Sequence, residues 1–219
     1  TITATGVSDG DTSNDATLSL TFTSSEATSD FVKADISVTG GSLGDLSGSG
    51  TTYTATFTPS GVGATTIDVD SGKFIDATGN SNTAAPQFNW TYDGTDPTLS
   101  SVSIASDNST TTLAKVSNVV TLTFTASETI STPTVTFLSG GAAITDTSVT
   151  YANTSGNTWT AAYTVDASDT SGSVTYSIAF TDTVGNSGGA VTSGSGSVTF
   201  DKTAPTMTIT ATGVSDGDT

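Results

Sequence analysis

The sequence predicts an all-β chain organised as two tandem β-sandwiches. Apolar and polar residues alternate in short runs such as LSLTFT (18–23) and VTLTFT (120–125). Period-two alternation marks a half-buried strand. Clusters of Gly, Ser, Asn and Asp separate the runs, and these are the residues that turns require. The third observation is repetition, at two scales.

In the first half, strands are expected near 1–5, 16–23, 33–38, 44–47, 52–58, 64–70 and 86–92. In the second half they are expected near 100–105, 118–125, 133–138, 147–152, 158–165, 173–180 and 195–200. No segment reads as a helix. Seven short strands in roughly 100 residues are the signature of an immunoglobulin-like sandwich. The expected fold class is therefore two tandem seven-stranded immunoglobulin-like β-sandwiches. Inward positions supply the cores: Leu18, Leu20, Phe22, Tyr53, Phe57, Ile67, Phe88 and Trp90 in the first half. In the second they are Val120, Leu122, Phe124, Val135, Trp159, Tyr163, Tyr176, Ile178 and Phe200. Aromatic side chains bury large areas and offset a low apolar content.

Residues 1–12 read TITATGVSDGDT, and residues 208–219 repeat them without change at an offset of 207. The expectation is a 207-residue unit within a tandem array, with 208–219 opening the first strand of the next copy. A fainter repeat lies inside the unit. LSLTFTSSE (18–26) matches VTLTFTASE (120–128), FIDATGN (74–80) matches FTDTVGN (180–186), and YDGTDPT (92–98) matches FDKTAPT (200–206). Convergent Thr-rich strands explain the T-x-T texture, but not three matched motifs in one order. The boundaries expected are 1–96 for the first domain and 97–207 for the second.

Composition narrows the function. The chain of 219 residues has four Lys, no Arg, no His and no Cys, against 21 acidic residues, for a net charge of -17. Nucleic-acid binding needs cations to replace counterions at phosphates, and four scattered Lys do not provide them. Without His or Cys there is no imidazole or thiol catalysis and no soft metal site. No stretch approaches 18 apolar residues, so no membrane span is expected in this segment, and no signal peptide is visible. High charge can signal disorder, but 33% of the residues are hydrophobic and 50 are Thr, a β-branched strand former. Domains without disulfides find stability elsewhere, and a bound metal is one route.

The acidic residues are not evenly placed. An odd number of strands brings the chain in at one pole of a sandwich and out at the other. The incoming linker, the loop after the second strand and the loop after the sixth share the incoming pole. Glu26 and Glu128, the only Glu residues, end the second strands, and Asp76 and Asp182 lie in the sixth-to-seventh loops. Asp93 and Asp201 lie in the linkers. Asp93, Glu128 and Asp182 should therefore converge at the second domain. Glu26 and Asp76 should converge with the counterpart of Asp201 from a preceding copy. Three carboxylates without a nearby cation repel, and Ca²⁺, which takes six to eight oxygen ligands in irregular geometry, resolves this; Mg²⁺ is stricter and keeps more water. Asn80, Asn186 and backbone carbonyls can complete the shell. The loop SDGDTSND (8–15) carries Asp9, Asp11 and Asp15 as secondary candidates and faces the junction from the other side, but lacks the Gly and Glu of an EF-hand. Asp107, Asp166 and Asp169 read as solvated turn residues. Short linkers holding Pro97 and Pro205 restrict the backbone, and a cation clamped across them would stiffen a rod of domains.

The motifs T-F-T-x-S-E, F-x-D-x-x-G-N and D-x-T-x-P-T, in order and present twice, resemble those of tandem bacterial immunoglobulin-like domains of giant surface adhesins and extracellular fibres. The resemblance covers both halves. It implies a secreted or surface-attached prokaryotic protein whose repeats form an extension arm, often with calcium at domain junctions. The ligands implied are Glu26, Asp76, Asp93, Glu128, Asp182 and Asp201. Asp96 stands where the second linker has Ala204 and is outside the shared pattern.

The leading expectation is a structural repeat unit of a calcium-stiffened extracellular stalk, adhesin arm or fibre, whose partners are neighbouring copies. One alternative is a short subunit that polymerises by exchanging the TITAT strand. Another is a glycan- or ice-binding β-module, suggested by rows such as Thr54, Thr56 and Thr58. Strand propensity explains those rows equally well. Paired carboxylates can hydrolyse glycosides, but here they lie at junctions and not in an apolar cleft, so no enzyme is expected.

Overall fold

A computed structural model describes residues 1–210 and Thr212. It divides into two compact units. The first comprises Thr1–Thr98, Glu128–Ser131 and Phe180–Gly188; the second comprises Leu99–Ser127, Thr132–Ala179 and, among the described residues, those from 189 on. Of the expected next-copy strand, residues 208–210 are exposed and belong to no strand, and residues 211 and 213–219 lie outside the described residues. No helix among the described residues is long and apolar enough to cross a membrane.

The first unit has eight strands: β1 Ile2–Ala4, β2 Thr12–Ser13, β3 Leu18–Thr28, β4 Ile36–Thr39, β5 Gly41–Leu43, β6 Ser47–Pro59, β7 Gly63–Val69 and β8 Phe88–Tyr92. They form two four-stranded sheets, ordered β1-β3-β6-β5 and β2-β8-β7-β4. The eighth strand, β2, lies in the stretch 6–15, where the sequence pattern placed no strand. Gly6, at φ +79°, turns the chain in a region that favours glycine. β1 then pairs antiparallel with β3, and β2 pairs parallel with β8. Backbone bonds from Thr91 N to Asp11 O and from Asp93 N to Ser13 O, both 3.0 Å, carry the parallel ladder. A 3-10 turn at Lys33–Asp35 precedes β4.

Alternation places the core. Leu18, Leu20 and Phe22 on β3 face Phe57, Ala55 and Tyr53 on β6, and all six are buried. Ile67, Val69, Phe88 and Trp90 close the core from the other sheet. Trp90 meets Phe57 edge-on at 6.1 Å, and its indole N–H donates to Ser13 Oγ at 3.0 Å. Each fully buried Leu or Phe contributes about 1.5–3 kcal/mol of transfer free energy.

Among the described residues the second unit has nine strands: β9 Leu99–Ser106, β10 Leu113–Ala114, β11 Val119–Ala126, β12 Thr134–Ser139, β13 Ala142–Ala143, β14 Thr150–Ser155, β15 Thr158–Thr164, β16 Gly172–Ala179 and β17 Thr199–Phe200. Its sheets are ordered β14-β15-β11-β9 and β10-β17-β16-β12-β13. The same device recurs, since β10 pairs parallel with β17 while β9 pairs antiparallel with β11. Val120, Leu122, Phe124, Val135, Tyr163, Tyr176, Ile178 and Phe200 are buried as expected. Trp159 is not: it is only half-buried, opposite Phe124, next to the β14–β15 turn where the sheet runs out. Phe137 takes a place the pattern did not assign, packing on Tyr163 at 4.8 Å.

Candidate functional site

The site is built on a tight turn. In F-T-D-T-V-G-N (180–186), Asp182 Oδ1 accepts the backbone N–H of Val184, Gly185 and Asn186 at 2.9, 2.6 and 2.8 Å. Asn186 Nδ2 closes the turn on Asp182 Oδ2 at 2.8 Å. Gly185 sits at φ +101°, which a side chain would strain. The segment bearing Glu128 is tied to the same turn, because Ser131 N donates to Thr181 O at 2.9 Å and Ile130 pairs with Asp182. The linker joins through its backbone, as Asn186 Nδ2 also donates to Asp93 O at 2.9 Å.

These bonds bring Asp93, Glu128 and Asp182 together. One carboxylate oxygen from each lies within 4.8 Å of the others, with Asp182 buried and the other two half-buried. The electrostatics follow. Burial and the charges of Asp93 and Asp182 raise the Glu128 carboxyl above the ordinary range. Burial pushes Asp182 the same way, but the Asn186 side chain and three backbone N–H groups outweigh it and hold that group low. The only ion pair among the described residues, Lys33 with exposed Asp45 at 3.8 Å, lies elsewhere. The donor set is all oxygen. Two ligands on opposite sides of a Ca²⁺ lie about 4.6–5.2 Å apart, twice the metal–oxygen distance, so the spread of the three oxygens fits one such ion.

The first-half turn repeats the geometry without the third carboxylate. Asp76 Oδ1 accepts from Thr78 N and Oγ1 at 2.8 Å and from Asn80 N at 2.9 Å. The Asn80 side chain above all, with the backbone of Asn80 and the Thr78 hydroxyl, holds Asp76 far below the usual carboxylate range. Asn80 Nδ2 spends its second proton on Thr78 Oγ1 at 2.8 Å, where Asn186 uses the linker carbonyl. Glu26 lies in a bulge, since residues 24–27 interrupt the β3–β6 register between Thr23 and Thr28. Glu26 and Asp76 both line an open cleft of about 570 Å³.

The remaining candidates have local partners. Asp201 Oδ1 accepts Thr203 N at 2.8 Å, as Asp93 Oδ1 accepts Thr95 N at 3.1 Å. Asp9 latches its loop to Asn89 N at 2.7 Å, Asp11 accepts Ser8 N at 2.7 Å, and Asp15 accepts Ser13 Oγ at 2.8 Å. None of these three joins the group at Asp182. Their loop reaches the turn through Asn14 instead, whose Nδ2 donates to Asn186 Oδ1 at 3.2 Å. Sequence reasoning missed Asn14, because a lone Asn in a turn-rich loop carries no pattern. Asp169 is not a solvated turn residue. It is 1% exposed, and accepts Thr145 N and Oγ1 at 2.8 Å. Asp166 is a turn residue, accepting Ser168 N at 2.8 Å, and Asp107 accepts Val119 N at 3.0 Å.

Residues 1–92 match the family model described as a bacterial Ig-like domain. Over those residues the chain is similar to a bacterial Ig-like domain. The matched residues run from β1 to β8, the strands of the first unit's two sheets. Comparison with curated proteins found no match. Among solved structures, InvD of Yersinia pseudotuberculosis is similar at 17% identity and a TM-score of 0.39, over 96% of this chain and 60% of that one. This chain thus spans 60% of the length of that InvD chain. The titin domains Z1Z2 in complex with telethonin are similar at 14% identity and a TM-score of 0.28, over 94% and 98% of the two chains. The tandem Ig repeats of Dlar are similar at 10% and 0.27, over 93% and 98%.

Proposed function

We propose that the chain is a structural repeat unit of an extracellular stalk, adhesin arm or fibre on a prokaryotic cell surface, and that Ca²⁺ held by Asp93, Glu128 and Asp182 stiffens it. The observation that carries the reading is the meeting of three carboxylates from a linker, a post-strand segment and a turn, with no Lys among them. The bacterial Ig-like domain and the 207-residue repetition support the repeat role. Neighbouring copies are the partners, with Glu26 and Asp76 of one copy facing Asp201 of the copy before it. The ion would neutralise mutual repulsion and cross-link segments distant in sequence, adding stability as any ligand of the folded state does. No catalytic step enters the reading.

Calorimetric titration of the chelator-treated chain with Ca²⁺, followed by thermal unfolding with and without the ion, tests this. Heat of binding and a raised Tm are expected. No binding and an unchanged Tm would remove calcium from the proposal.

A further inference from the structure

The turns at Asp76 and Asp182 share sequence and hydrogen bonding, yet differ in cover. Asp182 is 2% exposed and Phe180 5%, while Asp76 and Phe74 are only half-buried. At Asp182 the cover includes the linker, whose Asp93 carbonyl takes the Asn186 amide. At Asp76 the corresponding space is the open cleft of about 570 Å³. Its floor is aromatic: Phe31 lies 5.9 Å from Phe22, 5.2 Å from Tyr53 and 5.0 Å from Phe74. Its rim carries Glu26, Asp76 and Thr1.

The sequence holds a segment suited to that cleft. FDKTAPT (200–206) repeats the linker YDGTDPT (92–98), and the residue after it is Met207, where the first linker is followed by Leu99. Met207 is exposed, like every residue of 201–210 around it. Thr208 opens the repeat of residues 1–12, so Met207 stands where the residue before Thr1 of the next copy would stand. Thr1 is already in the ladder, pairing with Thr23 through N to O at 2.7 Å and O to N at 2.9 Å. A residue just before Thr1 therefore starts at the mouth of the cleft, beside Ser24 and Glu26.

We propose that this cleft is a socket for residues 201–207 of the preceding copy, with the Met207 side chain seated among Phe22, Phe31 and Phe74. The inference rests on the tandem-repeat reading but not on calcium. Methionine suits the task, because its unbranched thioether fills irregular gaps and makes favourable contacts with aromatic rings. The socket gives each junction an apolar plug as well as a charged rim.

The test uses the full chain preceded by a further copy of residues 1–207, with the second copy segmentally labelled. Amide exchange at residues 74–76 of that copy should slow at least tenfold relative to the single chain. Met207→Asp at the junction should abolish the slowing, and Met207→Leu should retain it. Exchange that is unchanged, or insensitive to Met207→Asp, would overturn the socket. Slowing in the single chain that grows with its concentration would overturn the preceding copy as occupant, in favour of strand exchange between molecules. Runs in Ca²⁺ and in chelator separate the two readings. Slowing that persists where Ca²⁺ has no effect on Tm leaves the socket standing without calcium. A Ca²⁺-raised Tm with unprotected amides leaves calcium standing without the socket.

Discussion

The side chain of Asn186 donates to the backbone carbonyl of Asp93 at 2.9 Å, joining residues 93 positions apart. Its other amide proton closes the turn on Asp182. Asn80 makes the equivalent turn bond, but its second bond stays inside the turn, to Thr78. Asn186→Ala should therefore cost more than Asn80→Ala. A buried partner left unpaired costs about 1–3 kcal/mol, and urea unfolding should show a loss of that order for Asn186 and a smaller one for Asn80.

Removing one carboxylate from the group of three should abolish the calcium response. With free Ca²⁺ at a hundredfold excess over Kd, binding adds about 2.7 kcal/mol. Glu128→Gln and Asp182→Asn should lose this increment in thermal unfolding. In the single chain Glu26→Gln should keep it, because among the described residues Glu26 and Asp76 belong to no group of three carboxylates. Without the ion, Glu128→Gln should leave Tm unchanged or raise it, since it relieves repulsion from Asp93 and Asp182.

Acid should unfold the chain through its turn aspartates. Asp30 is held below 3.8 by the Thr28 hydroxyl first and then by Ile75 N–H. Asp146 is held below 3.8 by the backbone N–H of Thr164 and then of Ser148. A depressed folded-state value means that the unfolded chain binds more protons, so stability rises with pH through this range. The contribution is complete above 3.8 and disappears as pH falls through the lower folded values. Urea midpoints measured from pH 5 down to pH 2 should decline, and Asp30→Asn should flatten part of that decline.

The core should be far more sensitive than the Thr rows. Phe57 is fully buried against Leu18 and Trp90, and Phe→Ala in such a site costs about 3–5 kcal/mol. Thr54, exposed on the same strand, should change stability by less than about 0.5 kcal/mol on substitution by Ala. Denaturant titration of the two variants checks the contrast.

Much of this architecture was legible because period-two alternation is a local signal. Leu18, Leu20 and Phe22 announce their face within five residues, and β3 forms on them. The meeting of Asp93, Glu128 and Asp182 was legible for a different reason: the same three motifs recur in the same order in both halves, which marked their loops as a set, although the expected count of seven strands was not met. What was not legible depends on single contacts without a pattern. Trp159 keeps strand alternation yet stays half-buried, because alternation does not say where a sheet ends. Asp169 looked like its exposed neighbours in sequence, and the bonds its carboxylate accepts from Thr145 and from Asp166 N–H show why it is buried. Asn14 and Asp30 reach across to Asn186 and Ile75 with no repeated counterpart to signal them.

The parallel pairing of β2 with β8, and of β10 with β17, has a mechanical meaning. In each unit an early strand lies beside a late one and runs in the same direction. Tension applied along the chain would pull the two members of each pair in opposite senses along their length. The bonds from Thr91 to Asp11 and from Asp93 to Ser13 would then be loaded together in shear, as would those from Thr199 to Thr112 and from Asp201 to Ala114. Bonds loaded side by side share the force, whereas a hairpin pulled from its open end yields one rung at a time. Under such a load the shared bonds would lie beside Asp93 in the first unit and beside Asp201 in the second.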